Sequence, residues 1–113
     1  MTFFDSDLVR AELAEISDLQ ENVYKNVFNF YRMDKQQKVK HVDLLQKLLE
    51  KQRVLYTRMS LSDDPEAQEI KNKILESAKS MGLDEGVDIS FMFGNMEKAL
   101  VQMKQDIGRH TDH

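Results

Sequence analysis

Apolar residues recur along this chain at helical spacing almost from end to end, in four separate stripes. Val9, Ile16, Val23 and Phe30 return every seven residues, with Leu13, Gln20 and Val27 as companion positions. Alternating steps of three and four place such a set on one face of a helix, or on a short coiled-coil seam. A second stripe pairs Val42, Leu49 and Tyr56 with Leu45, Gln52 and Met59, and Leu44, Leu48 and Leu55 widen it. A stripe that broad predicts a helix touching more than one neighbour. Ala67, Ile70, Ile74, Ala78 and Met81 form the third. The fourth runs through Ile89, Met92 or Phe93, Met96, Leu100, Met103 and Ile107.

Punctuation residues bound these stripes. Asp5 or Ser6, Asp34, Asp64, and Asp88 or Ser90 are suited to cap helix N-termini. Pro65 sits at a first helical position, where its missing N–H does no harm. Gly82 reads as a C-terminal stop with Leu83 folding back over the last turn, and Gly108 as another stop. Gly94 falls inside the fourth helix, where a close crossing or ordinary tolerance would explain it. The expected helices cover about 6–31, 35–60, 65–81 and 89–107, as one domain over 1–108 with a frayed tail at 109–113. Asp84 to Val87 reads as a loop, and the link from Leu61 to Asp64 as the best hinge.

The fold class is therefore all-α: a long antiparallel helical hairpin plus two shorter helices, four-helix bundle-like. Only four glycines and one proline in 113 residues argue against a turn-rich β fold. Charge supports the hairpin. Asp5 to Tyr31 holds six acids and two bases, net −4, whereas Asp34 to Met59 holds three acids and seven bases, net +4. Exposed pairs of this kind select a partner more than they hold it. Gln20 and Gln52 interrupt the two long seams, and either fix register or lie at an edge with their amides in water. The edge is the simpler reading.

Chemistry is harder to find. The absence of cysteine excludes disulfides, thiolate catalysis and cysteine-ligated zinc. His41 stands alone on a lysine-rich helix and reads as a surface residue. His110, Asp112 and His113 have metal-binding groups, but on a tail expected to fray, so no metal site and no cofactor are assigned. Glu12 and Glu15 are spaced as in the Glu-x-x-Glu of all-α nucleotide pyrophosphohydrolases. The second acidic set those enzymes use to hold magnesium is missing from the second helix, whose acids are Asp34, Asp43 and Glu50. Lys35, Lys38, Lys40, Lys47, Lys51, Arg53 and Arg58 make that helix basic, yet they do not share one face. The net charge of −4 argues against nucleic acid as a general partner. No apolar run approaches the roughly 18 residues of a membrane span, and the opening Met1-Thr2-Phe3-Phe4-Asp5 does not look like a signal peptide. A cytoplasmic location is expected.

What remains is apolar. Phe3, Phe4, Phe91, Met92, Phe93 and Met96 are the candidate oligomer or partner surface, because methionine and phenylalanine suit adaptable contacts; most of them read first as core, and only a part of the set is expected to serve a partner. Unequal helix lengths leave hairpin ends that a second copy would cover, so a homodimer is expected. The expected role is a non-enzymatic protein-interaction module, a regulator or adaptor. The alternatives are a magnesium-dependent pyrophosphohydrolase-like enzyme around Glu12 and Glu15, or nucleic-acid association through the second helix.

Several short groups, spread over the whole length, carry a family resemblance. They are Phe3-Phe4-Asp5-Ser6 with Val9 and Glu12; Asp34 with Lys35 and Lys38; Arg53-Val54, Tyr56, Arg58-Met59 and Leu61-Ser62-Asp63; and Met92-Phe93, Met96 and Met103-Lys104. In their combined order the chain resembles an uncharacterised family of small helical proteins found in cyanobacteria and their phages. Gly94, the Asp84 to Val87 loop and the histidine-bearing tail depart from the family's pattern. The resemblance implies a helical cytosolic protein, with a phage origin for a divergent member, and brings no catalytic residues.

Overall fold

A computed structural model describes residues 2–80, 82 and 88–109. Met81, Leu83, the 84–87 loop and the His110 to His113 tail, all of which carried sequence expectations, lie outside the described residues. The structure is all-α. There are four helices, α1 (Asp7–Val27), α2 (Lys35–Leu61), α3 (Pro65–Ser80) and α4 (Ile89–Arg109); one 3₁₀ turn at Phe3–Asp5 precedes α1 and another at Phe30–Arg32 lies between α1 and α2, with no strand among the described residues.

Local chemistry sets most of these boundaries. Asp34 begins α2 with a reciprocal capping box: its carboxylate accepts the Gln37 backbone N–H at 2.8 Å, and the Gln37 side chain accepts the Asp34 N–H at 3.0 Å. Asp88 accepts the Ser90 N–H at 3.0 Å and so is the residue that starts α4. Ser6 occupies the α1 cap position without a side-chain bond, while Asp5 instead accepts the Thr2 N–H. Gly82, at φ +109°, takes the left-handed conformation that ends α3 at no steric cost. α4 runs two residues beyond its expected end, through Gly108 to Arg109.

α2 is the helix that the other three share. α1 lies antiparallel along it, with Glu12 paired to Arg58 and Glu15 to Lys51. α4 is also antiparallel, with Lys104 paired to Asp43 and Glu97 3.8 Å from Arg53. The acids of the first helix thus do meet bases of the second, in the register the hairpin requires. Two apolar clusters join the helices. One unites Val9 and Ile16 of α1 with Leu55 and Met59 of α2 and Ala67 of α3. The other unites Leu49 of α2, Ala78 of α3, and Ile89 and Phe93 of α4. Ala67 and Ala78, small and buried, let α3 approach α2 closely.

Three expectations change. The first helix stops at Val27 rather than near Tyr31, and the Phe30–Arg32 turn swings Phe30 back toward α2. The inward row of α1 is Val9, Ile16, Leu19 and Val23, with Glu12 at its edge; Leu13 and Val27, expected inside, are exposed. The Leu61–Asp64 link is pinned. The Gln68 side chain donates to the carbonyls of Ser62 at 2.7 Å and Met59 at 3.1 Å, and Asp64 accepts the Phe3 N–H at 2.8 Å. A connection with its carbonyls satisfied from the next helix is not a hinge.

Gly94 is not at a close crossing, since a Cβ there would meet nothing within 4 Å. Gly94→Ala should therefore stabilise the protein by about 1 kcal/mol, the difference in helix propensity, read as a higher midpoint in urea unfolding.

Candidate functional site

The body is thin. Its principal extents are 55 × 33 × 19 Å, a depth of about two interdigitating helix layers with axes about 8–10 Å apart. Its radius of gyration is 16.4 Å, against about 13 Å for a compact chain of this length. Such a body cannot enclose every apolar face it makes. The consequence is an open groove above α2, bordered by α1 and α4. Toward one end it is a cleft of about 270 Å³ lined by Leu45, Leu48, Leu49, Met96 and Leu100. Toward the other it is about 310 Å³, lined by Ile16, Leu55, Tyr56, Met92 and Met96. Gln52 and Met96 line both, so the two clefts adjoin. Gln52 is half-buried and makes no hydrogen bond among the described residues. Its amide is a lone polar group in an otherwise apolar groove.

The six residues expected at a partner surface separate. Phe93 is buried in the second cluster, with its ring 6.1 Å from that of Tyr56, and Met92 is half-buried beside it. Phe3 and Phe4 form an edge-to-face pair at 5.1 Å and pack half-buried on the first cluster. These four are chiefly intramolecular packing. Phe91, 64% exposed, and Met96, 44% exposed, remain at the surface. Sequence reasoning missed the exposed aromatics at the end of the first helix. Tyr24, Phe28 and Tyr31 are largely exposed, the last two at about 90%. Phe28 and Tyr31 lie beyond the last residue of α1, and neither falls on its seven-residue stripe or the companion positions.

The two acids considered for magnesium are both engaged. Glu15 binds Lys51, which holds its carboxyl below the usual range for glutamate. Glu12, its side chain 18% exposed, binds Arg58 through one oxygen, while the other is buried without a partner. Among the described residues no three His, Asp or Glu side chains gather as a metal site would require.

His41 corrects the sequence reading most sharply. It is 5% exposed rather than a surface residue. The Phe30 ring, brought round by the 3₁₀ turn, lies 5.6 Å from its imidazole, and the Lys38 ammonium sits over the same ring, 5.4 Å from its centre. Its Nδ1 has no hydrogen-bond partner. Burial lowers the His41 pKa, because a charged ring loses hydration there. The unfolded chain therefore binds more protons than the folded one below the ordinary histidine value of about 6.5. Stability should be fully present above that pH and decline as pH falls toward the lowered folded value. His41→Leu should remove this component, seen as a smaller difference between urea midpoints at neutral and mildly acidic pH.

The described residues thus form an all-α body with an open apolar groove. The profile of the domain of unknown function DUF1825 matches residues 1–107, and the chain belongs to that family. Comparison with curated proteins and with solved structures gives no match.

Proposed function

We propose that this protein is a non-enzymatic helical interaction module, a cytoplasmic regulator or adaptor of cyanobacterial or phage origin, that works as a homodimer. The observation that carries the reading is the apolar groove over α2. An exposed continuous apolar surface is costly unless something covers it. A second copy suits it. A two-fold axis over the groove sets the partly exposed Met96 of each copy against the other's groove. Methionine, flexible and polarisable, fits such an irregular channel. No helix among the described residues is long and apolar enough to cross a membrane.

Sedimentation velocity at micromolar concentration tests the pairing. The protein should sediment at twice its 13.2 kDa chain mass, and Met96→Lys should shift it to the monomer without loss of helicity, since a lysine in the groove must keep its charge in water. A wild-type monomer across that range would rule the pairing out. For the non-enzymatic part, nucleotide turnover that disappears in Glu12→Gln would replace this reading with the hydrolase one.

A further inference from the structure

At the far end of the hairpin, where the Phe30–Arg32 turn meets the first turns of α2, lies a second cleft of about 400 Å³. It differs in kind from the groove. Its wall carries the cations Arg32 and Lys40, the amides of Asn26, Asn29 and Gln37, and the buried ring of His41, with Met33 and Leu44 as its apolar lining. No acid lines it.

Several bases along α2 and α4 are neutralised locally. Lys51, Arg53, Arg58 and Lys104 all have carboxylate partners. At this end four bases close together in the chain, Arg32, Lys35, Lys38 and Lys40, form no ion pair among the described residues. The nearby Asp34 carboxylate is taken up by the capping bond to the Gln37 N–H. The same capping box uses the Gln37 side-chain oxygen and leaves its NH₂ free to donate. Arg32 does not sit on a loose loop: its N–H donates to the Asn29 carbonyl at 2.9 Å, and the following Met33 N–H to the Phe30 carbonyl at 3.2 Å. Unpaired nitrogen at His41 Nδ1 adds a buried polar group unsatisfied within the chain, in the wall of the same cleft.

The geometry points to a binding site for a small oxyanionic ligand, bearing phosphate or carboxylate, at the hairpin end, held by Arg32 and Lys40 with the Gln37 and Asn29 amides. Positioned guanidinium, ammonium and amide donors without a competing acid suit such oxygens, and the volume lies within the range of small-molecule sites. Met33 and Leu44 would contact the uncharged remainder of the ligand.

Titration calorimetry on the full chain, with inorganic pyrophosphate and with citrate as probes, tests this. Saturable binding of at least one probe is expected, and the stronger of the two identifies the oxyanion as phosphate or carboxylate. The Arg32→Gln/Lys40→Gln variant should weaken binding by about tenfold or more, with its thermal midpoint without ligand unchanged. Lys98→Gln, which removes an unpaired lysine on α4 outside the cleft, should bind as the wild type does. Three results would overturn the assignment: no saturable binding of either probe, equal binding by the double variant, or binding to duplex DNA alone with steep salt dependence.

Discussion

Replacing Ile89 by alanine is expected to lower stability by about 3 kcal/mol, within the range for truncating a well-packed isoleucine. Ile89 is 1% exposed, one of the two largest fully buried side chains, and sits at the first turn of α4 against Leu49, Ala78 and Phe93. Its neighbours come from three helices, so the surroundings cannot collapse into the space by moving one element. Urea unfolding followed by helicity should show a lower midpoint with an unchanged slope. A loss below about 1 kcal/mol would mean that α4 is not docked on α2 and α3 as described.

Arg58→Met carries the second large effect. The Glu12 carboxylate is 18% exposed on its side chain and already has one oxygen unpartnered. Removing the guanidinium leaves a largely desolvated charge alone. For a fully buried pair this costs about 3–5 kcal/mol. Arg58 is itself 38% exposed, so water reaches the pair, and a loss of about 2 kcal/mol is expected. The double variant Glu12→Leu/Arg58→Met should recover most of that loss, because replacing both partners with apolar groups removes the stranded charge. A double variant no more stable than Arg58→Met would show that Arg58 acts through packing of its stem. The same pair bears on function, since a carboxylate committed to an arginine must be released before it can hold magnesium.

Much of the architecture was legible because it rests on local rules. Asp34, Pro65, Gly82 and Asp88 stand at helix ends for reasons of hydrogen bonding and backbone geometry that reach only a few residues. The short link between the two long helices required an antiparallel hairpin, their opposite charge favoured the pairing, and Glu12–Arg58 and Glu15–Lys51 carry it out. The candidate partner surface was legible only in part. Phe91 and Met96 stay outside, but Phe93 next to them is buried, because a dense apolar run covers several directions around the helix and only the neighbouring helices choose among them. Likewise, the row Val9, Ile16 and Val23 is compatible with companions on either side, and Leu19 rather than Gln20 came to face α2.

The sequence by itself determined that the chain is helical, where its caps fall, and which long helices attract each other. Tertiary structure alone decided that the first helix yields at Val27, that Phe30 closes over His41, and that a groove and a cationic cleft are left open. The physical reason is range. Caps and periodicity are satisfied within a turn or two, whereas burial depends on what arrives from elsewhere in the chain, and a lysine-rich helix gives no hint that a phenylalanine eleven positions before His41 will cover it.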